Sequence, residues 1–80
     1  MRLPRDLSGD DFIRALGRFG YRITRQSGSH VRLSTEEGGT HRLTIPRHKS
    51  LRVGTLAAAI NDVALHFAIS REAVAEKLFS

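Results

Sequence analysis

The residue best suited to chemistry in this sequence is a histidine that directly follows a Gly-Ser pair. His30 comes after Gly28-Ser29 and opens the run His30-Val31-Arg32-Leu33-Ser34-Thr35. Imidazole takes up and releases a proton near neutral pH, so it can serve as a general acid or base. Arginines on the same surface would bind a phosphodiester and offset the charge that builds on it during cleavage. One histidine with several arginines is a sufficient set for cutting RNA without a metal, because the 2′-hydroxyl of RNA supplies the nucleophile. DNA lacks that hydroxyl and is inert by this route. The residues alone leave open a second reading, the commoner one, in which His30 is an ordinary solvated surface histidine.

Other chemistries find less support. Gly38-Gly39 lacks the Lys and Ser/Thr context of a phosphate-binding loop. The serines show no spacing that suggests a Ser-His-Asp set. Glu36-Glu37 belongs to a turn, and Asp10-Asp11 to a helix start, so neither reads as a catalytic carboxylate pair. His30, His41, His48 and His66 include no pair at helical i,i+3 or i,i+4 spacing. His30 and His41 are expected on opposite faces of a sheet. No metal site and no cofactor is therefore expected.

The elements that must place His30 follow from periodicity. Ser8 is an N-cap, and Asp10 and Asp11 fall in the first turn, where a helix dipole favours acids. Phe12, Ile13, Leu16 and Phe19 recur at helical spacing, and Gly20 suits a left-handed cap. Three alternating runs follow, at 21–26, 29–35 and 40–45, separated by Ser27-Gly28 and by Glu36-Glu37-Gly38-Gly39. Pro46 stops the third. Strand side chains alternate between faces. Tyr21, Ile23, Val31, Leu33, Leu43 and Ile45 are expected on one face, and Arg22, Thr24, His30, Arg32, Arg42 and Thr44 on the other. The apolar face must be covered by helices. The opposite face then stays open and basic, with His30 on it.

After the polar linker 47–50, Gly54-Thr55 opens a second helix carrying Leu56, Ile60, Val63, Ala64 and Phe67. It runs into Phe67-Ala68-Ile69 without the glycine expected at its end. A short third helix begins at Ser70, with Val74 and Leu78 on its apolar side. Tyr21 and the phenylalanines are expected in the core rather than as base-stacking platforms. His41, His48 and His66 are expected at the surface or its boundary.

Composition sets the frame. Eighty residues suit one domain over 1–80, with a thin stability margin. The sequence has no cysteine, which excludes a disulfide framework and a thiolate metal site. The N-terminus has no apolar central run of the signal-peptide kind, and Leu56–Ile60 is far too short to span a bilayer. A cytoplasmic protein with no membrane partner is expected. Thirteen Lys and Arg stand against eight Asp and Glu, a formal charge of +5. Between Arg14 and Arg52 lie nine basic residues and two acids. This favours a polyanionic partner such as nucleic acid, and equally suits a basic surface kept for solubility.

The stretch Arg25-Gln26-Ser27-Gly28-Ser29-His30-Val31-Arg32-Leu33 resembles the signature of the HicA (YcfA-like) toxin family. Leu3-Pro4, Phe19-Gly20-Tyr21, Thr44-Ile45-Pro46-Arg47-His48 and Val53-Gly54-Thr55-Leu56 extend the resemblance in family order over nearly the whole chain. The resemblance implies an α+β, double-stranded-RNA-binding-like fold of order α-β-β-β-α, with the third helix appended. It has a three-stranded antiparallel sheet and helices on one face. It implies an endoribonuclease acting on mRNA, with the catalytic histidine at His30, and a HicB-type antitoxin as the neutralising partner. Gly28 would supply the tight turn, and Ser29 would orient His30 or contact RNA. Arg22, Arg32 and Arg42 are assigned to phosphate from the face pattern, not from the family motif. The alternative is a non-catalytic module that uses the same basic face to hold RNA or a protein.

Overall fold

A computed structural model describes residues 3–80. Its order is α1 (Gly9–Leu16), a 3₁₀ turn (Gly17–Phe19), β1 (Arg22–Ser27), β2 (His30–Thr35), β3 (His41–Pro46), α2 (Val53–Phe67) and α3 (Arg71–Phe79). The strands form an antiparallel sheet in the order β1-β2-β3. This is the α+β arrangement expected from the sequence.

The caps fall where the sequence places them. Ser8 Oγ accepts from the Asp11 amide at 3.0 Å, and Ser70 Oγ accepts from the Ala73 amide at 3.0 Å. Gly20 takes the left-handed conformation, at φ +82°. Ala68 does the same, at φ +55°, where a glycine was expected. Despite that departure, α3 follows directly.

The core lies between one face of the sheet and the helices. Phe12, Leu16, Val31, Leu33, Ile45, Leu56, Ile60, Val63 and Val74 are all essentially inaccessible. Tyr21 and Phe19 are buried among them, and Phe67 and Phe79 pack against the cluster. Nine such side chains each contribute about 1.5–3 kcal/mol of burial. That burial must offset the chain entropy of a small domain. Gly9 brings the start of α1 against the end of β3. Its amide donates to the His48 carbonyl at 2.9 Å, and a Cβ at this position would collide with the Pro46 carbonyl.

One burial expectation is corrected. Ile23 is not buried but 55% exposed, and β1 contributes no buried residue. Ile23 keeps the core-side face, paired with Leu33, but β1 is an edge strand of the sheet and the helices leave it uncovered. Farther along, Arg25 pairs with Arg32, so Thr24 is an extra residue on β1. Such a bulge bends its strand and reverses the side-chain alternation beyond it.

Candidate functional site

The open face is read directly from the ladder. Three cross-strand rows point away from the core: Ser27, His30 and Pro46; Arg25, Arg32 and Thr44; Arg22, Ser34 and Arg42. Successive rows lie about 7 Å apart, two residues along a strand. Arg25, Ser27, His30, Arg32 and Thr44 line an open groove of about 250 Å³.

His30 sits at the root of the β1–β2 hairpin. Ser27 and His30 are paired, leaving Gly28-Ser29 as a two-residue loop. Gly28 has φ +58°, and Ser29 is not among the positive-φ residues. Glycine at the first central position of such a loop suits the type II′ turn, whose twist matches the strands. The hairpin is tied down from outside, because the Arg47 amide donates to the Ser29 carbonyl at 2.6 Å. Arg47 is itself held to the first turn of α1, with Nε 2.9 Å from Asp10 Oδ1. His30 is exposed, and its ring makes no hydrogen bond among the described residues. The imidazole is thus placed by backbone, not by a side-chain partner, and both ring nitrogens remain open to a substrate.

The charge around it is uncompensated. Among the described residues the ion pairs are Arg14 with Asp11 and Arg47 with Asp10. Arg22, Arg25, Arg32 and Arg42 are exposed and take no part in them. Unpaired guanidinium groups on one open face are an anion-binding surface.

The family model for the HicA toxin of bacterial toxin-antitoxin systems matches residues 9–65. The chain belongs to the HicA toxin family. Membership makes it the toxin member of a toxin-antitoxin system and implies an antitoxin as its counterpart. Comparisons with curated proteins and with solved structures gave no match.

Within this HicA chain the sequence-predicted residues separate into groups. His30 and Arg32 share the groove. Gly28 and Ser29 form the turn that presents His30. Arg22 and Arg42 lie on the same face but in the row farthest from His30, on either side of Ser34, and do not line the groove. Arg42 instead lines a second depression, between β3 and α2, with Asp62 across it. Arg25 was missed. Alternation counted forward from Tyr21 turns it toward the core. Pairing counted back from the two-residue turn turns it toward His30. That conflict of parity is itself the signal of a bulge, and the ladder resolves it in favour of the groove.

His41 and His66 lie away from the groove. They stack on the core side of the sheet, with ring centroids 4.6 Å apart. Burial and the neighbouring His66 hold His41 below the ordinary histidine value, with Asp62 opposing. Among the described residues no three His, Asp or Glu side chains gather as metal ligands. No single described helix is long and apolar enough to cross a membrane.

Proposed function

We propose that this HicA-family toxin is a metal-independent mRNA interferase whose catalytic residue is His30. The observation that carries the proposal is the shared groove: an exposed imidazole opens beside Arg25 and Arg32, with no carboxylate paired to either. The α-β-β-β-α order, which the family resemblance associates with a double-stranded-RNA-binding-like fold, supports the same reading.

Cleavage would proceed by attack of the RNA 2′-oxygen on the adjacent phosphorus. That bond forms as the bond from phosphorus to the 5′-oxygen breaks, leaving a 2′,3′-cyclic phosphate and a free 5′-hydroxyl. His30 either accepts the proton from the 2′-hydroxyl or donates one to the departing 5′-oxygen, and water makes the complementary transfer. Guanidinium groups offset the charge on the non-bridging oxygens. Gly28 and Ser29 present the imidazole, and Arg22 and Arg42 bind phosphates farther along the strand of RNA. The neutralising partner is a HicB-type antitoxin that covers this basic face, and the protein acts in the cytoplasm.

The test compares wild type with His30→Ala, in growth and with purified protein on a long RNA containing chelator. Wild type is expected to arrest growth and to cut RNA but not DNA. The variant is expected to do neither, while its stability stays within about 0.5 kcal/mol of wild type, since His30 is exposed. A folded His30→Ala protein that still arrests growth refutes the catalytic role. Retarded but uncut RNA with wild type points to a binding module instead.

A further inference from the structure

We propose that Arg25 and Arg32 form a two-guanidinium clamp on a single phosphodiester beside His30, and that the Thr24 bulge builds it. The proposal rests on the RNA reading of the open face for the identity of the anion, but its geometry is independent of catalysis.

Three observations carry it. Arg25 and Arg32 are direct cross-strand partners, and both line the groove that holds His30. Like charges placed directly opposite each other on a sheet are destabilising. Neither arginine is paired with an acid among the described residues. The fold therefore holds two cations together at a cost, with no protein group to relieve it. An anion between them removes that cost. A phosphodiester fits, because its two non-bridging oxygens can each accept from a guanidinium fork.

The bulge is what makes the pair possible. Without the extra residue, β1 could not keep Tyr21 in the core and Arg25 beside His30. Thr24 is anchored where it matters, because its hydroxyl donates to the carbonyl of Arg32 at 3.3 Å. The bulge residue thus fastens to the backbone of the second clamp arginine. Bulges recur next to active sites because they re-aim side chains in this way. Arg22 and Arg42 have no such arrangement, since Ser34 stands between them.

The test measures binding to a 2′-O-methyl RNA oligonucleotide, which cannot be cut, across a salt series. The proteins are wild type, Arg25→Ala, Arg32→Ala, the double variant, and Arg22→Ala alone and with Arg32→Ala. Each clamp variant is expected to lose about tenfold in affinity or more, and to lower the salt dependence by about one phosphate contact. Because both arginines serve one phosphate, the double variant should lose clearly less than the product of the two single losses. Arg22→Ala with Arg32→Ala should lose the full product. Arg25→Lys should restore only part of the affinity, as a point charge in place of a fork. Arg25→Ala should also melt no lower than wild type, because a like-charge pair has been relieved. Wild-type binding by Arg25→Ala overturns the clamp, and so do independent losses in the double variant. Failure of wild type to bind the oligonucleotide overturns it too. If the clamp pattern appears but unmodified RNA is never cut, the nuclease reading falls and the clamp stands.

Discussion

The hydroxyl of Tyr21 lies 2.7 Å from Nδ1 of His41, linking the residue before β1 to the first residue of β3. The Tyr21 phenol is pushed up to about 12 by its burial and by Asp62, so it keeps its proton and can donate to a neutral imidazole. His41 in turn stacks on His66, whose Nε2 lies 2.9 Å from the Glu37 carbonyl. The β2–β3 turn, the start of β3 and the end of α2 are thereby joined through two histidine rings.

This arrangement predicts a loss of stability in mild acid. His41 titrates below its ordinary 6.5 in the folded protein, so the unfolded chain binds the proton more readily. Stability therefore rises with pH through this window: it is fully present above about 6.5 and declines as pH falls below that value. Thermal unfolding from pH 8 to pH 5 should show a falling midpoint. His41→Gln keeps an acceptor for Tyr21 but does not titrate, so its midpoint should fall less steeply. Parallel curves for the two proteins would exclude His41 as the source.

Much of this fold can be read from periodicity, because helical spacing and strand alternation are fixed by backbone geometry. Ser8, Gly20 and Ser70 cap where capping chemistry places them, and Val31, Leu33, Leu43 and Ile45 line the core side of the sheet. His30 reaches the open face because β2 alternates without interruption. β1 was misread at Arg25 because strict alternation has no place for an extra residue, and Thr24 is one; Ile23 keeps the face of Leu33 but lies uncovered on the edge strand. The same limitation put Arg22 ahead of Arg25 as a partner for His30. The unrelieved charge of the Arg25–Arg32 pair was likewise invisible, since it depends on which residues meet across the ladder.

Thr35 holds a junction that should not tolerate loss of its hydroxyl. It is 1% exposed, donates to the Phe19 carbonyl at 2.9 Å and accepts from the Glu37 amide at 3.1 Å. Thr35→Val keeps the shape but strands both backbone groups. A loss of about 1–3 kcal/mol is expected in denaturant unfolding. An unchanged midpoint would mean that water satisfies both groups in the variant.

Gly28 should be required for its backbone freedom rather than for space. Its φ is +58°, yet nothing lies within 4 Å of where a Cβ would stand. Asparagine, among the side chains least penalised at positive φ, should lose less RNA cleavage than valine. Valine should lower stability by about 1–2 kcal/mol and disturb the hairpin that presents His30, with a loss of cleavage. Full cleavage by a stable Gly28→Val protein would show that the turn does not govern the imidazole.

Ala68 presents the opposite case, a side chain where the backbone calls for none. It ends α2 in the left-handed region, at φ +55° and ψ +43°, with its amide donating to the Ala64 carbonyl. A Cβ in that conformation costs about 1–2 kcal/mol. Glycine removes the strain but loses more entropy on folding, a partly offsetting cost of about 0.5–1 kcal/mol. Ala68→Gly should therefore stabilise the protein by roughly 0.5–1 kcal/mol, raising the thermal midpoint by several degrees in a domain of this size. Ala68 is exposed and remote from the groove, so RNA cleavage at fixed temperature should be unchanged. A lower midpoint for the glycine variant would mean that chain entropy outweighs the strain at this cap.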